Sequence, residues 1–67
     1  MREIKVSGEI RLGQFLKLAD VVDQGSDAKQ LLAEGAVLVN GEPEARRGRQ
    51  LATGDVVTVD GTDFAVG

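Results

Sequence analysis

The chain has 67 residues, no Cys and no His, and eight Lys and Arg against eleven Asp and Glu, a net charge of −3. A single domain over residues 1–67 is expected, near the size at which one hydrophobic core barely offsets chain entropy. Without a thiolate, a disulfide framework or an imidazole, the chain is not expected to be an enzyme or to hold a cofactor or a metal.

The segment Met1 to Val6 has no apolar run long enough for a signal peptide or a membrane span, so an unprocessed cytoplasmic protein is expected. Glu3-Ile4-Lys5-Val6 alternates and predicts an opening strand, which Ser7-Gly8-Glu9 then breaks. From Ile10 to Ala19, Leu12, Phe15, Leu16 and Ala19 recur at helical spacing. Gln14 and Lys17 point away from that stripe and Arg11 flanks it, while Gly13 weakens the helix by roughly 1 kcal/mol.

A short connection, Asp20 to Gly25, makes the next helix a neighbour of the first. Ser26 is the expected cap, Asp27 suits the positive end of the helix dipole, and Ala28, Leu31 and Leu32 form the apolar face that Gly35 ends. Lys29 lies at the edge of that face.

Ala36 to Val39 is short and rich in β-branched residues, and Asn40-Gly41 is the favoured pair for a two-residue hairpin turn. Glu42 to Ala45 would pair back on it, with Pro43 at a sheet edge because proline donates no hydrogen bond. Leu51 is an expected buried anchor, Thr53-Gly54-Asp55 a turn, and Val56 to Val59 a strand that Asp60-Gly61 returns into Thr62 to Val66. The expected fold is α+β, with two short helices packed on a small, mostly antiparallel sheet.

Between the hairpins stand Arg46, Arg47 and Arg49, and Gly48 between them lets the backbone bend so that the side chains converge. Such a cluster suggests a surface that faces phosphate. All eight cations lie in residues 1–50 together with eight acids, whereas the tail carries Asp55, Asp60 and Asp63 without a cation. A polyanion site would therefore be a local patch drawn from Arg11, Lys17, Lys29, Arg46, Arg47 and Arg49, with the acidic tail turned away from it.

Arg11-Leu12-x-x-Phe15-Leu16-x-Leu18, then Ala28-Lys29-Gln30-Leu31-Leu32-x-x-Gly35-x-Val37-x-Val39-Asn40-Gly41-Glu42, then Gly54-Asp55-Val56-Val57 together resemble the S-four-type RNA-binding domain, or alpha-L fold. With Glu44-x-Arg46-Arg47-Gly48-Arg49 added, the chain looks most similar to the small stand-alone bacterial proteins of the YbcJ kind. The resemblance implies a ribosome-associated, monomeric module whose helix pair and hairpin dock on structured RNA, with ribosomal RNA or the ribosome as partner. It also implies that Lys29, Arg46, Arg47 and Arg49 contact phosphates, with Arg11 and Lys17 adding reach from the first helix.

The chain departs from the family at Gly13, often Asp; at Gln24-Gly25, often Ser-Arg; and at Lys29, often Arg. Phe15 and Phe64 are the only aromatic residues and both fall on apolar faces, which favours folded RNA over stacked single strands. Two other readings of the sequence remain open. One is a protein-interaction module that has lost RNA affinity, consistent with the net acidity. The other is a β-grasp sulfur carrier, which shares the Val-Asn-Gly-Glu hairpin but presents a Gly-Gly terminus where this chain has Val66-Gly67.

Overall fold

The computed structural model describes the backbone of residues 1–67 and the side-chain surroundings of all of them except position 25. In chain order the elements are β1 (Arg2–Ile4), β2 (Ile10–Arg11), α1 (Leu12–Leu18), α2 (Gly25–Ala33), β3 (Val37–Val39), β4 (Glu42–Pro43), β5 (Gln50–Leu51), β6 (Val56–Val59) and β7 (Thr62–Val66). Five of the strands form a sheet in the order β1-β7-β6-β3-β4, and β2 pairs with β5 in a separate two-stranded ladder. All pairings are antiparallel except β1 with β7.

Alternation places the core. Val37 and Val39, Val57 and Val59, and Phe64 and Val66 are the buried residues of β3, β6 and β7, and the register sets Val57 opposite both Val39 and Phe64. These residues share one face of the sheet. Leu12, Phe15, Leu16 and Ala19 from α1, with Ala28 and Leu32 from α2, close over it, and Leu51 joins the same cluster. The helices also pack against each other, as their short connection requires.

Both helices end in the same way. At Gly35 (φ 72°) the chain leaves α2 in the left-handed region, where glycine meets no Cβ penalty. The Gly35 N–H donates to the Leu32 carbonyl and the Ala36 N–H to the Leu31 carbonyl. This reciprocal pair of bonds is a Schellman ending. After α1, Asp20 (φ 62°) takes the equivalent position, and the N–H groups of Asp20 and Val21 donate to Lys17 and Leu16.

Several boundaries differ from expectation. The opening strand covers Arg2–Ile4 rather than residues 3–6, because it is fixed by its parallel register with Phe64, Ala65 and Val66. The first helix begins at Leu12, not Ile10, because Ile10 and Arg11 are drawn into pairing with Leu51 and Gln50. The second begins at Gly25, one residue before the expected cap at Ser26. Its N-cap is Gln24, in extended conformation (φ −146°) with no side-chain capping bond, and the Gln24 carbonyl accepts from the N–H groups of Asp27 and Ala28.

The hairpins match expectation. Asn40-Gly41 (φ 52° and 85°) and Asp60-Gly61 (φ 50° and 83°) have positive φ at both central positions, as two-residue type I′ turns require. Pro43 lies in β4 at the sheet edge.

Asn40 does more than turn the chain. Its Nδ2 donates to Asp55 Oδ1 (3.1 Å), and its Oδ1 accepts from the Val56 N–H (2.9 Å). The Asp55 carboxylate also accepts from the Ala52 N–H at 2.9 Å. The two motif segments Val39-Asn40-Gly41-Glu42 and Gly54-Asp55-Val56-Val57 are therefore parts of one polar clamp, which ties the β3–β4 turn to the start of β6.

Replacing Asn40 by Ala should cost about 2 kcal/mol in urea unfolding, since it removes two hydrogen bonds of about 1 kcal/mol each. The clamp also predicts a pH effect. The Ala52 N–H, then the Asn40 amide, then the Arg49 charge lower the Asp55 carboxyl below its ordinary value of 3.8. A depressed folded-state value stabilises the fold fully above the ordinary value and progressively less as pH falls through the folded one. Asp55→Asn should therefore be less stable than wild type at neutral pH, and the gap should narrow as thermal melts are taken below pH 4 (about the ordinary carboxylate range).

Candidate nucleic-acid interface

The arginine loop is stitched across the first turn of α1. The Leu12 N–H donates to the Arg49 carbonyl (2.8 Å) and the Gly13 N–H to the Arg47 carbonyl (2.9 Å). These two donors are among the four that a helix leaves unpaired at its start. Arg11 Nη1 adds a third link to the Gly48 carbonyl at 2.7 Å, and Gln14 Oε1 accepts from the Arg11 N–H at 3.3 Å.

Gly13 is buried beneath this crossing. A Cβ there would overlap Arg47 Cγ and lie 3.1 Å from Arg47 Cδ. The glycine that weakens the helix by propensity is thus what lets the stem of Arg47 lie flat against it. Spacing alone shows only that the residue is a poor helix former, although a glycine inside an apolar helical pattern is itself a signal of close approach.

Three of the sequence-predicted cations meet here. Arg11, Lys17 and Arg47, all exposed, line a shallow groove of about 390 Å³ with Gly13, Gln14 and Gly48, and no carboxylate shares that lining. Lys29 is exposed on α2 but lies outside the groove, and among the described residues it has no ion-pair partner.

Arg46 and Arg49 do not converge with Arg47; they close on Glu44. Arg46 Nε lies 3.2 Å from Glu44 Oε2 and its Nη2 donates to Oε1 at 3.3 Å, while Arg49 Nε is 3.1 Å from Oε1. The backbone N–H groups of Ala45 and Arg46 each donate to Oε2 at 3.1 Å. The Glu44 side chain is consequently 14% exposed although it sits in a surface loop. The side-chain and then the backbone hydrogen bonds from Arg46 hold its carboxyl below the usual range, and Glu44 in turn raises Arg46. Glu44 lies outside the set of site residues expected from the sequence, although its place two residues before Arg46 marks it as a partner for that arginine.

The acids are distributed differently from the expected tail. A separate depression of about 730 Å³ is lined by Asp20, Asp23, Asp27, Glu34 and Asp60, without Lys or Arg, and shares no residue with the cationic groove. The tail is not wholly turned away from the arginines either, since Asp55 Oδ2 lies 3.9 Å from Arg49 Nη1. Among the described residues, no three carboxylates are grouped so as to hold a metal ion, and no helix is long and apolar enough to cross a membrane.

Residues 3–67 match the family described as the S4 domain. The chain belongs to the S4 domain family. Among its relatives, the probable ribosome maturation protein RlbA of Bacillus subtilis (strain 168) is 62% identical over 52 residues, which cover 78% of this chain and 73% of that protein. The small ribosomal subunit protein uS4m of Schizosaccharomyces pombe is 46% identical over 52 residues, 78% of this chain but 16% of that protein. The crystal structure of the 30S ribosomal protein S4e from Thermoplasma acidophilum has the same fold, with a TM-score of 0.65 at 22% identity over 90% of this chain and 32% of that one. This S4 domain thus spans less than a third of either ribosomal protein.

The geometry at Gly13 makes a sharp prediction. Gly13→Ala should forgo the roughly 1 kcal/mol that alanine normally brings to a helix interior, because Arg47 must leave its place. Hydrogen exchange at the amides of residues 12 and 13 should quicken as the loop lifts, and unchanged protection at both would show that Arg47 yields without moving the loop.

Proposed function

We propose that this S4 domain binds structured RNA in a ribosome-related role, docking it on the groove formed by Arg11, Lys17 and Arg47. The observation that carries the reading is the groove's composition: three exposed cations, from β2, α1 and the arginine loop that is bonded across the start of α1, with no acid among the lining residues. A polyanion is drawn to such a local field even when the net charge of the protein is negative. Membership of the S4 domain family supports RNA as that polyanion, and the names of RlbA and the small-subunit protein uS4m support a ribosomal context.

The RNA is folded rather than single-stranded. Stacking platforms need exposed aromatic rings, and the two aromatic residues, Phe15 and Phe64, are both core residues. Contacts to phosphates and 2′-hydroxyls along a shaped backbone suit the cations that remain. Membership of the S4 domain family supports a binding role.

Titration of structured ribosomal RNA fragments and a matched single strand, each at two salt concentrations, tests this. Wild type should prefer the structured RNA and lose affinity as salt rises. Lys17→Ala with Arg47→Ala should weaken binding and flatten the plot of log affinity against log salt by up to about 1.8, roughly 0.9 for each phosphate that the variant no longer neutralises. A folded double variant that binds like wild type would reject the groove as the site.

A further inference from the structure

The Glu44 carboxylate is held by donors of the kind that recognise phosphate. Two successive backbone N–H groups, of Ala45 and Arg46, point at one oxygen, and the guanidinium groups of Arg46 and Arg49 reach both. Consecutive N–H groups in a loop form an anion-binding concavity, and guanidinium forks take carboxylate and phosphate oxygens alike. A phosphodiester offers two charged oxygens from one centre, as a carboxylate does.

The position is open to exchange. The Arg46 side chain is 79% exposed, so solvent and ligand reach the site from its side, where an exposed guanidinium adds little to the hold on the carboxylate; Arg49, 30% exposed, and Glu44, 14% exposed, are half-buried behind it. Glu44 is anchored to β3 through its own backbone N–H, which donates to the Val37 carbonyl, and not through its side chain. The carboxylate can therefore swing out while the loop keeps its path.

We propose that residues 44–49 form a phosphate-binding nest whose resident ligand in the free chain is the Glu44 carboxylate, and that a backbone phosphate of bound RNA displaces it. Arg46 and Arg49 then join the interface only after docking, whereas Arg11, Lys17 and Arg47 are available from the start. The displacement step rests on the RNA-binding reading; the nest itself does not.

Two arms separate these claims. Inorganic phosphate is titrated into wild type and Glu44→Ala while backbone amide shifts are followed by NMR. The variant should show saturable shifts at Ala45 and Arg46 that wild type lacks, and adding Arg49→Ala should abolish them; an absence of saturable shifts in Glu44→Ala overturns the nest. Glu44→Gln, which keeps the side-chain shape, takes the place of Glu44→Ala if the latter is unfolded, with weaker phosphate binding expected.

In the RNA arm, Glu44→Ala should bind about tenfold tighter at low salt while keeping a salt slope close to that of wild type, because both complexes contact the same phosphate; a slope steeper by about 0.9, one further phosphate, would show that wild type leaves the nest to Glu44 and would overturn displacement. Glu42→Ala removes the same charge from an exposed position in the neighbouring strand and serves as control. A gain no larger than that of Glu42→Ala, or a loss of affinity, overturns displacement. If wild type binds no RNA, the proposed function fails while the phosphate titration still decides the nest.

Discussion

The crossing of the arginine loop over the start of α1 is the constraint on which the remainder of the molecule depends. A seven-residue helix with a glycine at its second position would not persist alone, because a short helix cannot offset the cost of its nucleus. Here its first donors are taken up by the carbonyls of Arg47 and Arg49, and its apolar face is covered by the sheet. The dependence runs both ways. The loop from Ala45 to Arg49 has no regular partner strand, and those same bonds fix its path and hence the direction in which Arg47 leaves it. The ladder of Ile10–Arg11 with Gln50–Leu51, two residues on each side, is held between the buried Leu12 and Leu51.

Net charge is a poor guide to such a surface. Charges are segregated by where the backbone carries them: Asp20, Asp23, Asp27, Glu34 and Asp60 gather in one depression, and Arg11, Lys17 and Arg47 in another. Two further acids are used internally, Asp55 in the clamp with Asn40 and Asp63 as the acceptor of the Thr58 hydroxyl at 2.7 Å. Glu44 neutralises two of the three loop arginines at their root. The field that a polyanion meets is therefore set by which cations lack a nearby carboxylate, and the total of −3 conveys little of it.

Features governed by neighbouring residues were legible in the sequence. Asn40-Gly41 and Asp60-Gly61 specify their turns through their own backbone preferences, Gly35 ends its helix for the same reason, and Pro43 excludes itself from a sheet interior. The apolar stripes of α1, β6 and β7 gave the core through period alone. Features that depend on distant partners were not legible. Two-residue strands have no period to detect, so β2 was absorbed into the helix that follows it. The start of α2 is set by the Gln24 carbonyl and not by a side-chain cap, which removes the signal that pointed to Ser26. At the site, a cluster of arginines is visible as composition, but which of them is free depends on side-chain geometry around Glu44 and Gly13.

The parallel pairing of β1 with β7 has a consequence for how the chain reaches this fold. Arg2 lies opposite Phe64 and Ile4 opposite Val66, so β1 has no partner until β7 exists. The hairpins β3–β4 and β6–β7 close locally over two-residue turns, and such contacts form ahead of those that must first close a long loop. β1 therefore stays unpaired until the β6–β7 hairpin is present, and its docking is the event that seals the sheet edge at β7.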